Sequence, residues 1–199
     1  MDTFFGLPSH PLLVHGVTVL LPLAAIGAVV IAISPTWRER IGWVVVGIAG
    51  IGLVFTYLAK ESGEALEEYI EDTEGISATL HAHTELGDVF LFWAIPLFLA
   101  VLGFMLYARY RKQQGMPEPR LGSPLALALV GLVVVASAAT TYKTIEVGHS
   151  GAKAAWEDVD VSQFDSYEGE EGGESGEESE DEALEGMGVP GAVTGPVAR

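Results

Sequence analysis

The sequence predicts an all-α fold, an integral membrane four-helix bundle followed by an acidic disordered C-terminal tail. Three observations carry this. Apolar residues make up 49% of the 199 residues even though the formal charge is −17. Mean hydropathy is nonetheless positive, at +0.36. Fourteen of the 27 acidic residues fall between Glu157 and Glu185, outside the apolar part. The charge therefore describes a tail and one loop, while the remainder is apolar enough for a bilayer.

Four uncharged apolar segments follow in order, at about 12–33, 41–59, 89–107 and 125–141. Each is near the ~20 residues that cross a hydrocarbon core. Pro22 and Pro96 lie inside the first and third. Membrane helices tolerate such breaks when neighbouring helices satisfy the freed carbonyls. Gly42, Gly47, Gly50 and Gly52 recur in the second, where small residues let backbones approach closely. The segments belong to one membrane domain over 1–151, with a tail over 152–199. Met1-Asp2-Thr3 has no basic n-region, so the first apolar stretch is expected to stay as an anchor and not to be cleaved.

The loops set the orientation. Arg38 and Arg40 lie between the first two segments, and Arg109, Arg111, Lys112 and Arg120 between the last two. The central loop has one base, Lys60, against Glu61, Glu64, Glu67, Glu68, Glu71, Asp72, Glu74, Glu85 and Asp88. The positive-inside rule puts the basic loops in the cytoplasm, and the central loop and both termini outside. Trp37, Trp43, Trp93 and Trp156 sit near segment ends, as an aromatic belt would. The expected location is the plasma membrane.

Within the central loop, Ala65, Leu66, Tyr69 and Ile70 fall on one helical face and carboxylates on the other. This predicts an amphipathic helix lying at the outer surface. Ser77 or Thr79 is placed to cap the third helix. From Glu157 onward the chain is mostly Glu, Asp, Gly and Ser. Such a stretch buries too little apolar surface to offset its ordering entropy, so disorder is expected. The acidic balance argues against nucleic acid as a partner. With no cysteine, disulfides, thiolate-bound metals and covalent haem are excluded.

The five histidines all fall at the outer ends of the segments. His15 is about 7.5 Å deeper than His10 along the first helix, and about 140° around it. An imidazole at that depth is functional or internally hydrogen-bonded. His81 and His83 point to nearly opposite faces, and His81, Glu85 and Asp88 form a polar stripe. His149 follows Gly148, which is placed to end the fourth helix in a left-handed cap. Neutral imidazoles from facing helices ligate haem iron, and bundle cores hold such cofactors. The expected site uses His15 and His83 as the preferred axial pair, with His149 and His10 as replacements. Leu12, Leu13, Phe90 and Trp93 are its expected apolar walls.

His10-Pro11-Leu12-Leu13-Val14-His15, followed by Leu20-Leu21-Pro22-Leu23-Ala24-Ala25, resembles the signature of the DUF2231 family, small four-span prokaryotic membrane proteins of unknown function. The segment from Glu61 to Glu68, His83-Thr84-Glu85-Leu86-Gly87, and Val147-Gly148-His149-Ser150-Gly151 are similar to later family motifs. Ser150 interrupts the closing His-Gly element. Gly16 and Val17 stand where many members carry an aromatic residue and a proline. The resemblance covers roughly 8–151 and not the tail. Some relatives are fused to cytochrome c-like or Rieske domains, which implies a redox partner by analogy.

The leading functional expectation is an electron-transfer module binding a b-type haem near the outer face, with the lipid bilayer as its setting. Two other classes compete with it. One is a cofactor-free structural or interaction protein whose histidines form a hydrogen-bonded layer. The other is a metal- or pH-sensing module, since imidazole titrates near neutrality. No nucleophile–base constellation is legible, so catalysis is not predicted.

Overall fold

The computed structural model describes residues 3–4, 6–73, 75–116, 123–157 and 159. A two-residue antiparallel pairing, β1 (Thr3–Phe4) with β2 (Leu7–Pro8), precedes four helices. They are α1 (Ser9–Ile33), α2 (Pro35–Thr73), α3 (Ala78–Gln113) and α4 (Pro124–Ala155). All four lie in one unit that ends at Glu157; of the second unit, from Asp158 onward, only Val159 is described. The expected disorder of the acidic tail, and the base Arg120, lie outside the described residues.

Each helix is long and apolar enough to cross a membrane. Large apolar side chains face outward all round, among them Val19, Ile26, Val54, Phe92, Leu99 and Val135. A helix that is apolar on every side is stable in lipid and not in water. The helices form a square: α1 packs on α2 and α4, α3 packs on the same two, and α1 faces α3 across the diagonal. Leu21, Ile31, Leu97, Val101, Phe104 and Val133 are fully buried along the axis, interleaved with alanines from all four helices.

The glycines of α2 divide in two. A Cβ at Gly52 would meet Leu21 at 2.8 Å, whereas Gly47 faces open space. Close packing therefore explains Gly52 and not Gly47. Pro96 removes one N–H from the ladder of α3 and leaves the Phe92 carbonyl without its helical donor. Next to it, the buried Thr140 hydroxyl of α4 donates to Trp93 O at 2.8 Å. The neighbouring helix thus supplies a hydrogen bond at the break.

The helices run well past the apolar segments, and two expectations are corrected by this. The amphipathic stretch over 64–70 is no separate surface helix. It continues α2, whose 39 residues reach about 58 Å at helical rise, nearly twice the ~30 Å hydrocarbon core. Its Ala, Leu and Glu are good helix formers, and no proline interrupts them. Gly148 does not end α4 either, since that helix continues to Ala155. Ser77 does cap α3, accepting from Leu80 N at 3.1 Å. The hydroxyls of Ser77 and Thr79 also donate to Glu157, at 2.7 and 3.0 Å. These bonds tie the end of α4 to the start of α3.

Candidate functional site: a cavity between two imidazoles

The starts of α1 and α3 meet the later turns of α2 and α4 at one end of the bundle. Between them lies a cavity of about 520 Å³, within the ~300–1,000 Å³ usual for small-molecule sites. Val14, Val17, Phe90 and Val147 line it toward the core, and Leu66, Ile70 and Leu80 toward the projecting part of α2. His10, His15 and His83 are on its wall, with Glu64, Glu67 and Asp88. Lys60 is the single Lys or Arg among the described lining residues, and it pairs with Glu64 and with Asp88, the latter at 3.1 Å.

His10 stands in the first turn of α1 and is half-buried. Its Nδ1–H donates to Ala59 O of α2 at 2.8 Å. The ring lies against Gly63, where a Cβ would come within 2.9 Å of Cε1. His83 is held in the same manner from α3. Its Nδ1–H donates to Ser150 Oγ of α4 at 2.9 Å, and Ser150 in turn donates to Val147 O at 2.8 Å. A Cβ at Gly151 would stand 2.9 Å from its Cε1. The two rings face each other across the cavity, 6.3 Å between centroids and 73° between planes.

His83 lies on the charged turns that precede Val89, outside the apolar segment. Burial, and secondarily the neighbouring His10, hold its pKa below the usual imidazole value, while a hydrogen bond to the Val147 backbone partly offsets this.

The structure thus brings together His10 and His83 and not the preferred pair. His15 is exposed at the edge of the cavity, with Nδ1–H donating to Pro11 O of its own helix at 2.6 Å. The angular offset between His10 and His15 is the reason: with His10 turned onto α2, His15 is carried around α1. His149 is exposed and off the cavity wall, to which α4 gives Val147, Gly148 and Gly151, while its half-buried neighbour Ser150 bonds His83. His81 is exposed and lies 3.8 Å from Glu85, as part of the expected stripe. Of the expected walls only Phe90 lines the cavity; Leu12 and Trp93 are exposed and Leu13 packs on the core. Sequence reasoning does not find Ser150, Gly63 or Gly151 as parts of the site. The one signal for Ser150 is that it interrupts a motif.

A square bundle with a histidine-lined cavity at one end, on helices apolar all round, defines a class: a multi-span membrane protein. The family model described as "Predicted membrane protein (DUF2231)" matches residues 6–162, and the chain belongs to that family. No curated protein and no solved structure matches it.

Proposed function

We propose that the cavity holds a b-type haem with the imidazoles of His10 and His83 as its axial ligands, and that the protein serves electron transfer. The observation that carries this reading is the hydrogen bonding of the pair: Nδ1 of His10 meets a carbonyl, which only accepts, and Nδ1 of His83 meets a hydroxyl that itself donates to Val147 O. Each Nδ1–H is committed to an acceptor on a neighbouring helix, which leaves the Nε2 lone pair available as a ligand. Metal-binding histidines are set up in this way, the second ring nitrogen donating to a carbonyl or similar acceptor.

Other features of the residues fit the group. The two rings stand 6.3 Å apart between centroids, near enough for both residues to hold one group. Among the described residues no three His, Asp or Glu converge where a bare metal ion would sit. Haem needs only two protein ligands, because the macrocycle supplies the rest. Much of the cavity wall is apolar, as a macrocycle requires. A haem bound there supplies one-electron chemistry.

The histidine end is read as facing outward in a prokaryotic plasma membrane, because Arg40, Arg109, Arg111 and Lys112 cluster at the opposite end. A redox partner would then dock outside the membrane.

Purified protein from haem-replete cells should give Soret and α bands in a dithionite-reduced minus oxidised spectrum. His10→Ala and His83→Ala should each abolish or shift the bands, and His149→Ala should leave them unchanged. An absence of bands in the unsubstituted protein would overturn the proposal in favour of a cofactor-free hydrogen-bonded layer. A C-terminal reporter active only in the cytoplasm would overturn the orientation.

A further inference from the structure

The cavity has a mouth on its side, along the seam between α1 and α4. On α1, Gly16 packs on Phe55 of α2, and Pro11 and Thr18 stand about 140° and 160° around the helix from it. On α4, Ser150 bonds His83 of α3, and Gly148 and Ala152 each stand about 160° around the helix from it. These two faces turn to one another where α1 packs on α4. Pro11, His15, Thr18, Gly148 and Ala152 all line the cavity. All but Gly148 are nevertheless exposed, and a Cβ at Gly148 would meet nothing within 4 Å. Side chains that line a cavity and also face outward mark its opening.

The seam between α2 and α3 is held differently. Lys60 of α2 pairs with Asp88 of α3 at 3.1 Å, and Thr84 of α3 donates to Glu67 of α2 at 2.9 Å. At the α1–α4 seam the polar side chains of α1 turn onto their own helix. Thr18 Oγ1 donates to His15 O at 3.1 Å, and His15 Nδ1 lies 2.6 Å from Pro11 O. A carbonyl only accepts, so Nδ1 carries the proton and Nε2 of His15 is left as an acceptor. Both residues lie within two turns of the start of the first apolar segment, at about residue 12. The mouth therefore stands at the outer boundary of the hydrocarbon core, and the cavity wall behind it includes Val14, Val17 and Val147.

We propose that this seam binds a lipid-soluble hydroquinone entering sideways from the bilayer, with one hydroxyl donating to His15 Nε2 and the alkyl chain lying outward between α1 and α4. The donor head and apolar body follow from the seam alone; naming a redox-active occupant rests on the haem reading. Beside ferric haem the hydroquinone would give up two electrons in two one-electron steps, release two protons and become the quinone. A quinone has acceptors only, so it would lose its bond to His15 and leave.

The test is native mass spectrometry of the full-length protein in detergent, kept anaerobic and titrated with decylhydroquinone or its dimethyl ether, which has no hydroxyl. The hydroquinone should bind about fivefold more tightly, as one neutral hydrogen bond allows. His15→Phe should lower hydroquinone binding to that of the ether and leave the ether as it was. Gly148→Leu, which puts a side chain into the mouth, should remove most binding of both. His149→Phe, at an exposed imidazole off the cavity wall, should change neither. Equal affinity for the two ligands would overturn the proposal, as would unchanged binding in Gly148→Leu. Unchanged elution in size exclusion would show that the variants fold. The titration is run on protein from haem-depleted and from haem-replete cells. Missing Soret bands would sink the haem reading and leave this binding measurable; bands without hydroquinone binding would sink the hydroquinone site alone.

Discussion

His83 packs on the bare backbone of Gly151, so that a Cβ there would stand 2.9 Å from ring Cε1 and 3.3 Å from Nε2. His10 rests on Gly63 in the same way across the cavity. Two glycines, one on α2 and one on α4, therefore fix how near the imidazoles approach the helices that hold their Nδ1–H groups. Adding a methyl group at either position must push a ring toward the cavity or force neighbouring helices apart. Gly63→Ala and Gly151→Ala should each destabilise the protein by about 1–3 kcal/mol, the usual cost of overpacking. Gly148→Ala is the control, since nothing lies within 4 Å of a Cβ there. It should be neutral or stabilising by up to about 1 kcal/mol, because alanine is the better helix former. Thermal melts in one detergent would separate these outcomes. Equal melting temperatures for the Gly151 and Gly148 variants would remove the packing argument.

The spans are legible in the sequence because hydropathy reports membrane depth directly. The helix ends are not, because α2 and α4 continue as Glu-, Ala- and Thr-bearing turns that hydropathy scores as loop. Local helix propensity at Ala65, Leu66 and Glu67 suggests a helix, but nothing in the pattern marks its continuity with the span. The histidine end of the bundle is legible; the pairing within it is not. Helices that are apolar all round carry no periodic signal for axial rotation. The rotation of α1 is set by contacts such as His10 on Gly63 and Leu21 against Gly52. Those contacts decide that His10 and not His15 meets His83. The offset of His10 from His15 shows that the two cannot share a direction, without showing which turns inward. Ser150 is hard to read because its neighbour His149 has the more reactive side chain.

The neutral state of His83 gives a pH dependence with a definite sign. Its folded pKa lies below the ordinary 6.5 through burial and the adjacent His10. At a pH between the folded and unfolded values the unfolded chain binds the extra proton and the folded one does not. Stability from this group is therefore complete above the unfolded value and is lost as pH falls through the folded one. In cofactor-free protein the melting temperature should fall as pH is lowered from about 8 to 5, the range over which imidazole titrates. His83→Gln should flatten that fall while keeping a side-chain donor. His81→Gln should leave the slope as it was, since His81 is exposed. Parallel pH curves for the unsubstituted protein and His83→Gln would assign the slope to other groups.

Arg38 reads in the sequence as a topological charge, yet it is only 4% exposed. Its Nε donates to Ile31 O at 2.9 Å and its Nη2 to Ala32 O at 3.0 Å. Those carbonyls belong to the last turn of α1, whose acceptors have no partner within the helix. The guanidinium also lies 4.6 Å over the ring of Phe104 from α3. One side chain thus caps α1, starts α2 and touches α3 at a turn where Ser34 alone separates the first two helices. Arg38→Ala should destabilise the protein by about 2–4 kcal/mol, since it removes charge-assisted hydrogen bonds and leaves buried carbonyls unpaired. Arg38→Lys should recover only a fraction of this, because an ammonium cannot reproduce the planar fork or its stacking on Phe104. Arg40→Ala, an exposed neighbour, should stay within about 0.5 kcal/mol of the parent. If Arg38→Lys melts with the parent, charge alone suffices at this turn and the fork geometry contributes nothing.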